Sequence, residues 1–574
     1  MWYREGGAWV RMTWREAGDR VRALADGWLS EGLGLGDRVA ILAGTRVEWI
    51  LADFSILCAG GVTTAIYPTH TDEALLYILR DSGARFVVCD DEKQVRRLLT
   101  LRDRLPDVQA VWSLDRGASG DGWIRPFEVL ESIGRRYAAA YPTAYDTARR
   151  AVGPDALAAL IYTSGTTGEP KGVMLDHGAW IYETQAVDAL GLAGPADLQF
   201  LFLPLAHVFA KVAEALFVHL GIPTVVDGDR DALVANMRDR KPAFMAGVPR
   251  TFEKGREAIL REVARRGPVA RRLFARALTV GGQIADARLA QKTPPLALRA
   301  EHAALDRLVL GPIRERFGGR LRFLISGGAP LSVEVARFFW AIGLPVLEGW
   351  GLTETSAATC VNTLDAAVLG SVGRPLPGTK LRIAPDGEVQ VSSRGVMQGY
   401  WRRPADTDAA FTPDGWLRTG DVGQILASGH LQITDRMKDL IVTSGGKNLA
   451  PTPIETALAN LSDVIGDVVL HADRRPYAVA LVTLDPVSAP RWARERNLSF
   501  TDLADLSTRP EVRDHIRGHV DDLNRRLAPW ESIKAFAVLP EPFTVENGLV
   551  TPTLKVRRRA VEARWSDLLN ALYR

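Results

Sequence analysis

Apolar and polar residues follow two different periods in the first third of the chain. A Thr13-Trp14-Arg15-Glu16 capping box precedes a helical apolar pattern at Val21, Leu24, Ala25, Trp28 and Leu29. Short apolar runs predict buried strands, and amphipathic segments between them predict helices. The strands are predicted at residues 38–42, 63–67 and 85–89, and the further helices at residues 47–59 and 72–81. This alternation predicts an α/β architecture with a parallel sheet.

The pattern changes in the middle of the chain. Residues 105–150 are richer in Gly, Pro and charge, so we expect irregular structure there. Residues 253–317 predict amphipathic helices, and residues 322–326 predict another short strand.

The C-terminal part has a different character. Residues 380–391 alternate around Asp386-Gly387, which is a strong hairpin signal. A strand at residues 477–484 and a helix at residues 512–527 predict a small α+β unit. We therefore place a domain boundary at residues 435–439.

Composition narrows the class of protein. The 574 residues are 47% hydrophobic and 24% charged, which is ordinary for globular domains. Cys58, Cys89 and Cys360 lie too far apart in sequence to indicate a disulfide framework. The first residues lack the apolar core of a signal peptide, and the most apolar stretch, residues 49–67, contains Asp53. We therefore expect a cytoplasmic protein without a membrane span.

Positive charge is concentrated in one segment although the net charge is only +3. Between Arg250 and Arg322 there are 17 Lys and Arg residues against 7 Asp and Glu residues. A solvated helical face explains this excess, and so does attraction to an anionic membrane or a polyanionic ligand. Because aromatic residues are not interleaved with the charges, we expect no nucleic-acid partner.

Residues 162–171, Tyr-Thr-Ser-Gly-Thr-Thr-Gly-Glu-Pro-Lys, are the most informative stretch. They follow an apolar run that predicts a buried strand. Glycines allow backbone N–H groups to approach a phosphate, hydroxyls add donors, and a lysine adds charge. The spacing differs from a Walker A loop. An ordinary Ser/Thr/Gly turn is the alternative.

Five further segments carry candidate chemistry. They are Ser326-Gly-Gly-Ala-Pro330, Glu348-Gly-Trp-Gly-Leu-Thr-Glu-Thr355, Trp416-Leu-Arg-Thr-Gly-Asp421, residues 435–448 and Thr551-Pro-Thr-Leu-Lys555. A glycine turn admits a flat ring, a Trp can stack on a base, and carboxylates can accept ribose hydroxyls or bind Mg²⁺. Taken singly, each segment is equally explained by a turn, a core residue, a solvated linker or a surface charge.

In this order the segments resemble the adenylate-forming superfamily of acyl-CoA synthetases, firefly luciferase and peptide-synthetase adenylation domains. The resemblance covers nearly the whole chain. It is greatest to long-chain fatty acyl-CoA synthetases, on residues 203–209, 247–254 and 446–451 and on the basic helical segment. It implies a large N-terminal multi-subdomain α/β region, residues 1–435, a hinge at 436–439, and a small mobile α+β lid domain, residues 440–574.

The resemblance also implies a reaction and its participants. A long-chain fatty acid carboxylate attacks the α-phosphate of ATP, which gives acyl-AMP and pyrophosphate, and CoA then accepts the acyl group and releases AMP. The implied cofactor is Mg²⁺, with ATP and CoA as co-substrates. Peripheral contact with a membrane and a homodimer stay open.

The nucleotide-site residues implied by the resemblance fall into four groups. The β- and γ-phosphates are assigned to Thr163, Ser164, Gly165, Thr166, Thr167, Gly168 and Lys171. The adenine is assigned to Gly327, Gly328, Ala329, Glu348, Gly349 and Trp350, and the ribose to Asp421 and Arg436. Glu354 and Ser164 are assigned to Mg²⁺, with Thr353 close by. Lys555 is the implied catalytic cation, acting with Glu354 and Thr353.

The remaining implied residues concern the acyl group, the hinge and CoA. His207, Phe252 and Gly351 are acyl-pocket candidates, although packing in the core or wall explains His207 and Phe252 as well. Lys438 matches the hinge position. Gly445, Gly446 and Lys447 are expected along the CoA channel, where small residues permit close approach of the backbone.

Two departures and three alternatives accompany this assignment. Thr553-Leu554 precedes Lys555 where many superfamily members have Ser-Gly, and Ala210-Lys211 stands where we expect an acidic residue and arginine. The alternatives are a fatty acyl-AMP ligase that loads a carrier protein, a CoA ligase for another carboxylic acid, and a non-catalytic acyl or nucleotide binder.

Overall fold

The computed structural model describes residues 1–115, 122–163, 169–444, 448–551 and 555–573. The first elements are β1 Trp2–Glu5, β2 Ala8–Arg11, α1 Trp14–Ser30, β3 Arg38–Leu42, α2 Val47–Cys58, β4 Val62–Ile66, α3 Asp72–Ser82, β5 Phe86–Cys89, α4 Glu92–Leu101, β6 Ala110–Ser113, β7 Ile124–Pro126, α5 Phe127–Ala140 and α6 Ala144–Ala151. Then follow β8 Leu157–Thr163, β9 Lys171–Asp176, α7 His177–Asp188, β10 Gln199–Leu201, α8 Val208–Leu220, β11 Thr224–Val226, α9 Leu233–Arg240, β12 Phe244–Gly247, α10 Pro249–Arg265, α11 Pro268–Leu289, α12 Leu296–Leu305 and α13 Gly311–Glu315.

The chain continues with β13 Phe323–Ser326, α14 Val333–Ala341, β14 Val346–Trp350, β15 Cys360–Val361, β16 Arg374–Pro375, β17 Lys380–Ile383, β18 Glu388–Ser392, β19 Gly399–Tyr400, α15 Pro404–Ala410, β20 Leu417–Ile425 and β21 Leu431–Arg436. The last elements are β22 Ile441–Val442, β23 Asn448–Leu449, α16 Pro451–Ala459, β24 Ile465–His471, β25 Ala478–Leu484, α17 Ser488–Glu495, α18 Leu503–Ser507, α19 Pro510–Asn524, β26 Ile533–Val538, α20 Arg558–Arg564 and α21 Ser566–Ala571.

Two large sheets form the N-terminal region, as far as the described residues show. One has the order β19-β9-β8-β4-β3-β5-β6-β7, and the other has the order β16-β15-β14-β13-β12-β10-β11-β1-β2. Strands β3 to β8 pair in parallel, as do β10 to β14. Their carboxyl ends, including those of β8, β13 and β14, present loops to a common cleft, which is where open α/β sheets bind ligands.

The predicted hairpin belongs to a third, antiparallel sheet with the order β17-β18-β20-β21. Gly387 has φ +87° at its turn, a conformation that favours glycine. Strands β20 and β21 place Asp421 opposite Arg436, at the end of the sheet that borders the cleft.

The C-terminal part builds its own hydrophobic core around the sheet β24-β25-β26. Helices α16 and α19 pack Leu458, Ile516 and Val520 into this core. None of the helices in the described part of the chain combines the length and apolar character needed to cross a bilayer.

The expectation of irregular structure at residues 105–150 is wrong. Helix α5 spans much of that range and packs against α1. A Cβ on Gly134 would lie 1.7 Å from the Ala23 carbonyl oxygen, and one on Gly27 would lie 2.4 Å from the Leu130 carbonyl oxygen. Gly27 and Gly134 therefore let helices α1 and α5 approach each other closely.

Candidate active site

A cleft of about 2010 Å³ lies between the N-terminal region and the C-terminal domain. Residues from both parts line it, among them Trp350 and Asp421 on one side and Lys555 on the other. The strand ends described above and the chain crossing at residues 435–439 therefore meet at one cavity.

The adenine-side candidates form a flat wall. Gly327, Gly328 and Ala329 follow β13, and all three line the cleft. A Cβ on Gly327 would lie 3.2 Å from the Phe209 ring, and Gly328 has φ +83°. Small residues are thus required here by both space and backbone conformation, and they leave room for a planar ring.

Trp350 and Arg436 hold Asp421 at the cleft surface. The Trp350 indole Nε1–H donates to Asp421 Oδ2 at 2.7 Å, and Arg436 Nε lies 3.3 Å from Oδ1. Burial raises the pKa of Asp421, while the Arg436 charge opposes this shift. The carboxylate is fixed in direction and suited to accept hydroxyl hydrogen bonds.

Two more sequence-predicted residues lie beside Trp350. Glu348 accepts a hydrogen bond from the Leu331 N–H at 3.3 Å, and burial raises the pKa of its carboxyl to about 7. Gly351 has no room for a side chain, since a Cβ would lie 1.5 Å from the Ala357 carbonyl oxygen. Both residues therefore shape the cleft wall, as does Gly349 between them.

The phosphate-side candidates contact two residues, Asp406 and Tyr400, that the sequence pattern does not identify. Thr163 ends β8 directly opposite Lys171 at the start of β9. Lys171 Nζ lies 2.5 Å from Asp406 Oδ1 and 5.1 Å from the centroid of the Tyr400 ring. Ser164, Gly165, Thr166, Thr167 and Gly168 lie outside the described residues.

Tyr400 also connects Lys171 to Glu354. Its hydroxyl donates to Glu354 Oε1 at 2.8 Å. Glu354 lies with Thr353 in a short 3-10 helix at Thr353–Thr355, and both line the cleft. Because Asp406 is 235 residues from Lys171 in sequence, no local signal reveals this cluster.

Lys555 brings a buried cation to the cleft from the C-terminal domain. Its backbone N–H donates to Thr551 Oγ1 at 3.1 Å, and its carbonyl accepts from the Thr551 N–H at 2.8 Å. Burial lowers the pKa of its ammonium to about 8, and Arg436 adds to this shift. Asp421 and Glu354 oppose it, so the Lys555 charge faces both of these carboxylates.

The chain crossing is anchored by Asp435. Its carboxylate accepts hydrogen bonds from the Arg436 N–H at 2.7 Å and from Thr452 Oγ1 at 3.2 Å. The Met437 N–H donates to the Gly420 carbonyl at 2.8 Å. Lys438 lies in this segment and lines the cleft. Gly445, Gly446 and Lys447 lie outside the described residues.

Part of the cleft lining is apolar, and we call this part the apolar branch. It includes Val187 and Leu192 at and after the end of α7, Val212, Ala213 and Leu216 on α8, which begins after His207, and Phe244 on β12. His207 caps α8, where its Nδ1 accepts from the Phe209 N–H at 3.2 Å. Burial and the Lys555 charge lower the pKa of its imidazole to about 4, so the ring is neutral at pH 7.

Phe252 lies behind the wall of this branch. Its side chain is only 2% exposed, its ring packs edge-on against Phe339 at 5.9 Å, and it is not among the described residues that line the cleft. This placement matches core packing, and a gating role for Phe252 stays a prediction.

Lys211, which departs from the expected pattern, also lies behind the wall. It is buried against α2, where its ammonium pairs with Asp53 and lies 3.2 Å from Glu214. Burial opposes its charge, but the two carboxylates outweigh this and raise its pKa. Burial raises the pKa of Glu214 well above its usual range, and the Lys211 charge opposes this shift.

The chain belongs to the family of AMP-binding enzymes. The model of that family matches residues 2–401, and the model of its C-terminal domain matches residues 438–574. A long-chain-fatty-acid–CoA ligase, FadD15 of Mycobacterium tuberculosis, is 36% identical over 99% of this chain and 93% of its own length. The ligase heimdall of Drosophila melanogaster is 30% identical over 99% of this chain and 90% of its own length.

Solved structures have the same fold. ATP-bound MatB from Rhodopseudomonas palustris gives a TM-score of 0.68 at 23% identity, over 97% of this chain and 94% of its own. The A domain of carboxylic acid reductase from Segniliparus rugosus, in complex with AMP, gives 0.72 at 19% identity, over 98% and 87%. These likenesses confirm the adenylate-forming fold that the sequence predicts.

Proposed function

We propose that this protein is a long-chain fatty acid–CoA ligase that forms AMP. One observation carries the proposal: Lys555 of the C-terminal domain, the Trp350–Asp421–Arg436 group and an apolar branch all meet in one cleft. The similarity of this chain, over 99% of its length, to long-chain-fatty-acid–CoA ligases supports the substrate class.

The first half-reaction uses charge and position. A fatty acid carboxylate oxygen bonds to the α-phosphorus of ATP, and the bond from that phosphorus to the bridging oxygen of pyrophosphate breaks. Lys555 would stabilise the negative charge on the reacting oxygens, and Asp421 would hold the ribose. Lys171 would exchange Asp406 for phosphate oxygens, since both are anionic partners.

Mg²⁺ fits the oxygen donors near the phosphates. Glu354 would bind it directly, and the Tyr400 hydroxyl holds the carboxylate in place. The ion would neutralise phosphate charge when bound. Thr353 lies beside Glu354, and Ser164 would complete this group.

The second half-reaction requires a different domain arrangement. The CoA sulfur bonds to the acyl carbon, and the bond from that carbon to the AMP oxygen breaks. We propose that residues 440–574 rotate about residues 436–439, which replaces Lys555 by the segment with Gly445, Gly446 and Lys447. Asp435 would be the fixed end of this hinge, because β21 pairs it with Val422 of β20 in the N-terminal region.

An acid panel tests the substrate class. ATP–pyrophosphate exchange is measured with hexadecanoate, octanoate, benzoate and acetate, and exchange should be fastest with the longest chain, because each buried methylene adds about 0.8 kcal/mol. Equal or faster exchange with acetate would remove the long-chain assignment. AMP release that requires a carrier protein instead of CoA would favour a fatty acyl-AMP ligase.

We also propose that the segment around the end of α10 and the start of α11 contacts an anionic membrane surface. Arg265 at the end of α10 and Arg271 and Arg272 in the first turns of α11 are exposed. Beside them Val269 is 77% exposed and Leu273 is 40% exposed, four residues apart on one helix face. Basic and apolar side chains together fit an anionic bilayer surface.

Vesicle sedimentation tests this contact. Val269→Ser with Leu273→Ser should weaken binding to vesicles that contain phosphatidylglycerol, whereas Leu296→Ser, at a similarly exposed site, should not. Equal binding by all variants would contradict the contact. The homodimer stays a prediction, which light scattering would check.

A further inference from the structure

Helix α10 presents one charged face to the C-terminal domain. Arg250, Glu253, Lys254, Glu257 and Arg261 recur at helical spacing and therefore share that face. Arg250 and Glu253, in the first turn of α10, also line the cleft.

The other face of α10 is fixed in the N-terminal core. Phe252 and Ile259 are buried there, and Phe252 packs against Phe339 and close to Gly247. Because Val248 just before the helix also lines the cleft, the position of α10 is tied to the cleft wall.

Acidic residues of the C-terminal domain face this helix. Arg250 Nη2 lies 3.8 Å from Asp485 Oδ2, at the end of β25, and the Asp485 side chain is 16% exposed. Asp467 lies in the same interface: burial raises the pKa of its carboxyl, Arg250 opposes this shift, and Asp485 adds to it. Glu253 and Glu257 also have pKa values raised by burial and opposed by Arg250.

Several carboxylates from both sides share Arg250, with Lys254 also acting on Asp467 and Arg261 also acting on Glu257. Removing Arg250 would increase the repulsion between Asp467 and Asp485 of one part and Glu253 and Glu257 of the other. A partly desolvated charge pair of this kind fixes the register of two surfaces more than it adds affinity.

We propose that Arg250 is a positioning residue for acyl-AMP formation. By pairing with Asp485 it holds the C-terminal domain in the arrangement that places Lys555 in the nucleotide cleft. Helix α10, which borders the cleft, thereby stabilises the arrangement for the first half-reaction. This inference rests on the proposed two-step function.

Half-reaction kinetics of single variants test the pairing. Asp485→Asn and Arg250→Gln should slow ATP–pyrophosphate exchange by about five- to tenfold, through kcat more than through KM for ATP. Asp485→Asn should leave the reaction of supplied acyl-AMP with CoA unchanged or faster, because that step needs the other arrangement. Asp485 is not among the described residues that line the cleft, and asparagine can still accept the hydrogen bonds that Asp485 Oδ1 accepts from the Val487 and Ser488 N–H groups.

A charge exchange and a matched control separate positioning from damage. Arg250→Asp combined with Asp485→Arg should recover exchange to within about threefold of the unmodified protein. Arg266→Gln is the control, because Arg266, just after α10, pairs with Glu262 instead of with an interface carboxylate. It should leave both half-reactions unchanged.

Two results would overturn the inference. One is that Asp485→Asn slows both half-reactions equally, and the other is that the charge exchange fails to recover pyrophosphate exchange while thermal unfolding is unchanged. Failure of the proposed function would look different, because the unmodified protein would then form no acyl-AMP from long-chain acids.

Discussion

Lys211 and Lys555 are both buried lysines, but their surroundings have opposite effects on their charge. Lys211 pairs directly with Asp53 and Glu214, and these carboxylates raise its pKa in spite of burial. Burial lowers the pKa of Lys555 to about 8, because Asp421 and Glu354 do not offset it. The Lys211 ammonium is neutralised by carboxylates of the fold, whereas the Lys555 ammonium has too little negative charge around it.

This difference distinguishes a lysine that stabilises the fold from the lysine that we propose acts in catalysis. A buried cation with its own carboxylates stabilises packing and has no capacity for a further anion. A buried cation with insufficient negative charge around it is stabilised when an anionic group arrives, which is what acyl-AMP formation supplies. The same residue type therefore has two roles that depend on its neighbours.

The largest effect should follow from removing the paired lysine. Lys211→Met leaves the buried Asp53 without its cationic partner, and should lower the free energy of unfolding by about 3–5 kcal/mol. Denaturant unfolding measures this loss. Adding Asp53→Asn should restore part of it, and a loss below about 1 kcal/mol for the single variant would contradict the stabilising role of the Lys211–Asp53 pair.

Removing the unpaired lysine should instead act on the reaction. Lys555→Ala should slow acyl-AMP formation by about 10²–10³-fold, the loss expected for one strong electrostatic donor. Pre-steady-state measurement of acyl-AMP follows it, with thioesterification of supplied acyl-AMP as the internal control. An equal loss in both steps would show that Lys555 is not confined to the first.

The pH dependence should report the same ammonium. Above about pH 8 the Lys555 side chain loses its proton, so acyl-AMP formation should fall by about tenfold per pH unit and be level below pH 8 as far as Lys555 is concerned. Lys555→Arg, whose guanidinium stays charged, should remove this fall. A fall that persists in the arginine variant would assign it to another group.

The smallest effect is a gain in stability. The pKa of Lys555 is lower in the folded chain, so the unfolded state binds the proton more tightly, and the cost is fully present below about pH 8 and disappears toward pH 10.5. Lys555→Met should therefore raise the free energy of unfolding at pH 7 by about 1 kcal/mol. Loss of stability in this variant would reverse the comparison with Lys211.

Sequence reasoning located those parts of the cleft that lie in short contiguous motifs. The glycine turn at Gly327-Gly328 and the residues Trp350, Asp421 and Lys555 each stand within a few residues that share a chemical purpose. The structure brings them to one cavity. Their individual roles in catalysis stay predictions.

Pairs that are distant in sequence had no such signal. Tyr400 contacts Glu354, and Asp406 contacts Lys171, only because β19 pairs with β9 and brings these distant segments together. From the sequence, Lys211 is only a departure from the family pattern, because its partner Asp53 lies 158 residues earlier.

The amino-acid sequence by itself determined the α/β class, the family and the chemistry of the short motifs, because periodicity and local residue types act over a few positions. The tertiary structure alone decided which carboxylate neutralises which cation, and so which buried lysine keeps charge for a substrate. Electrostatic energy depends on distance and burial, and neither is set until β20, β21 and the C-terminal domain pack around the cleft.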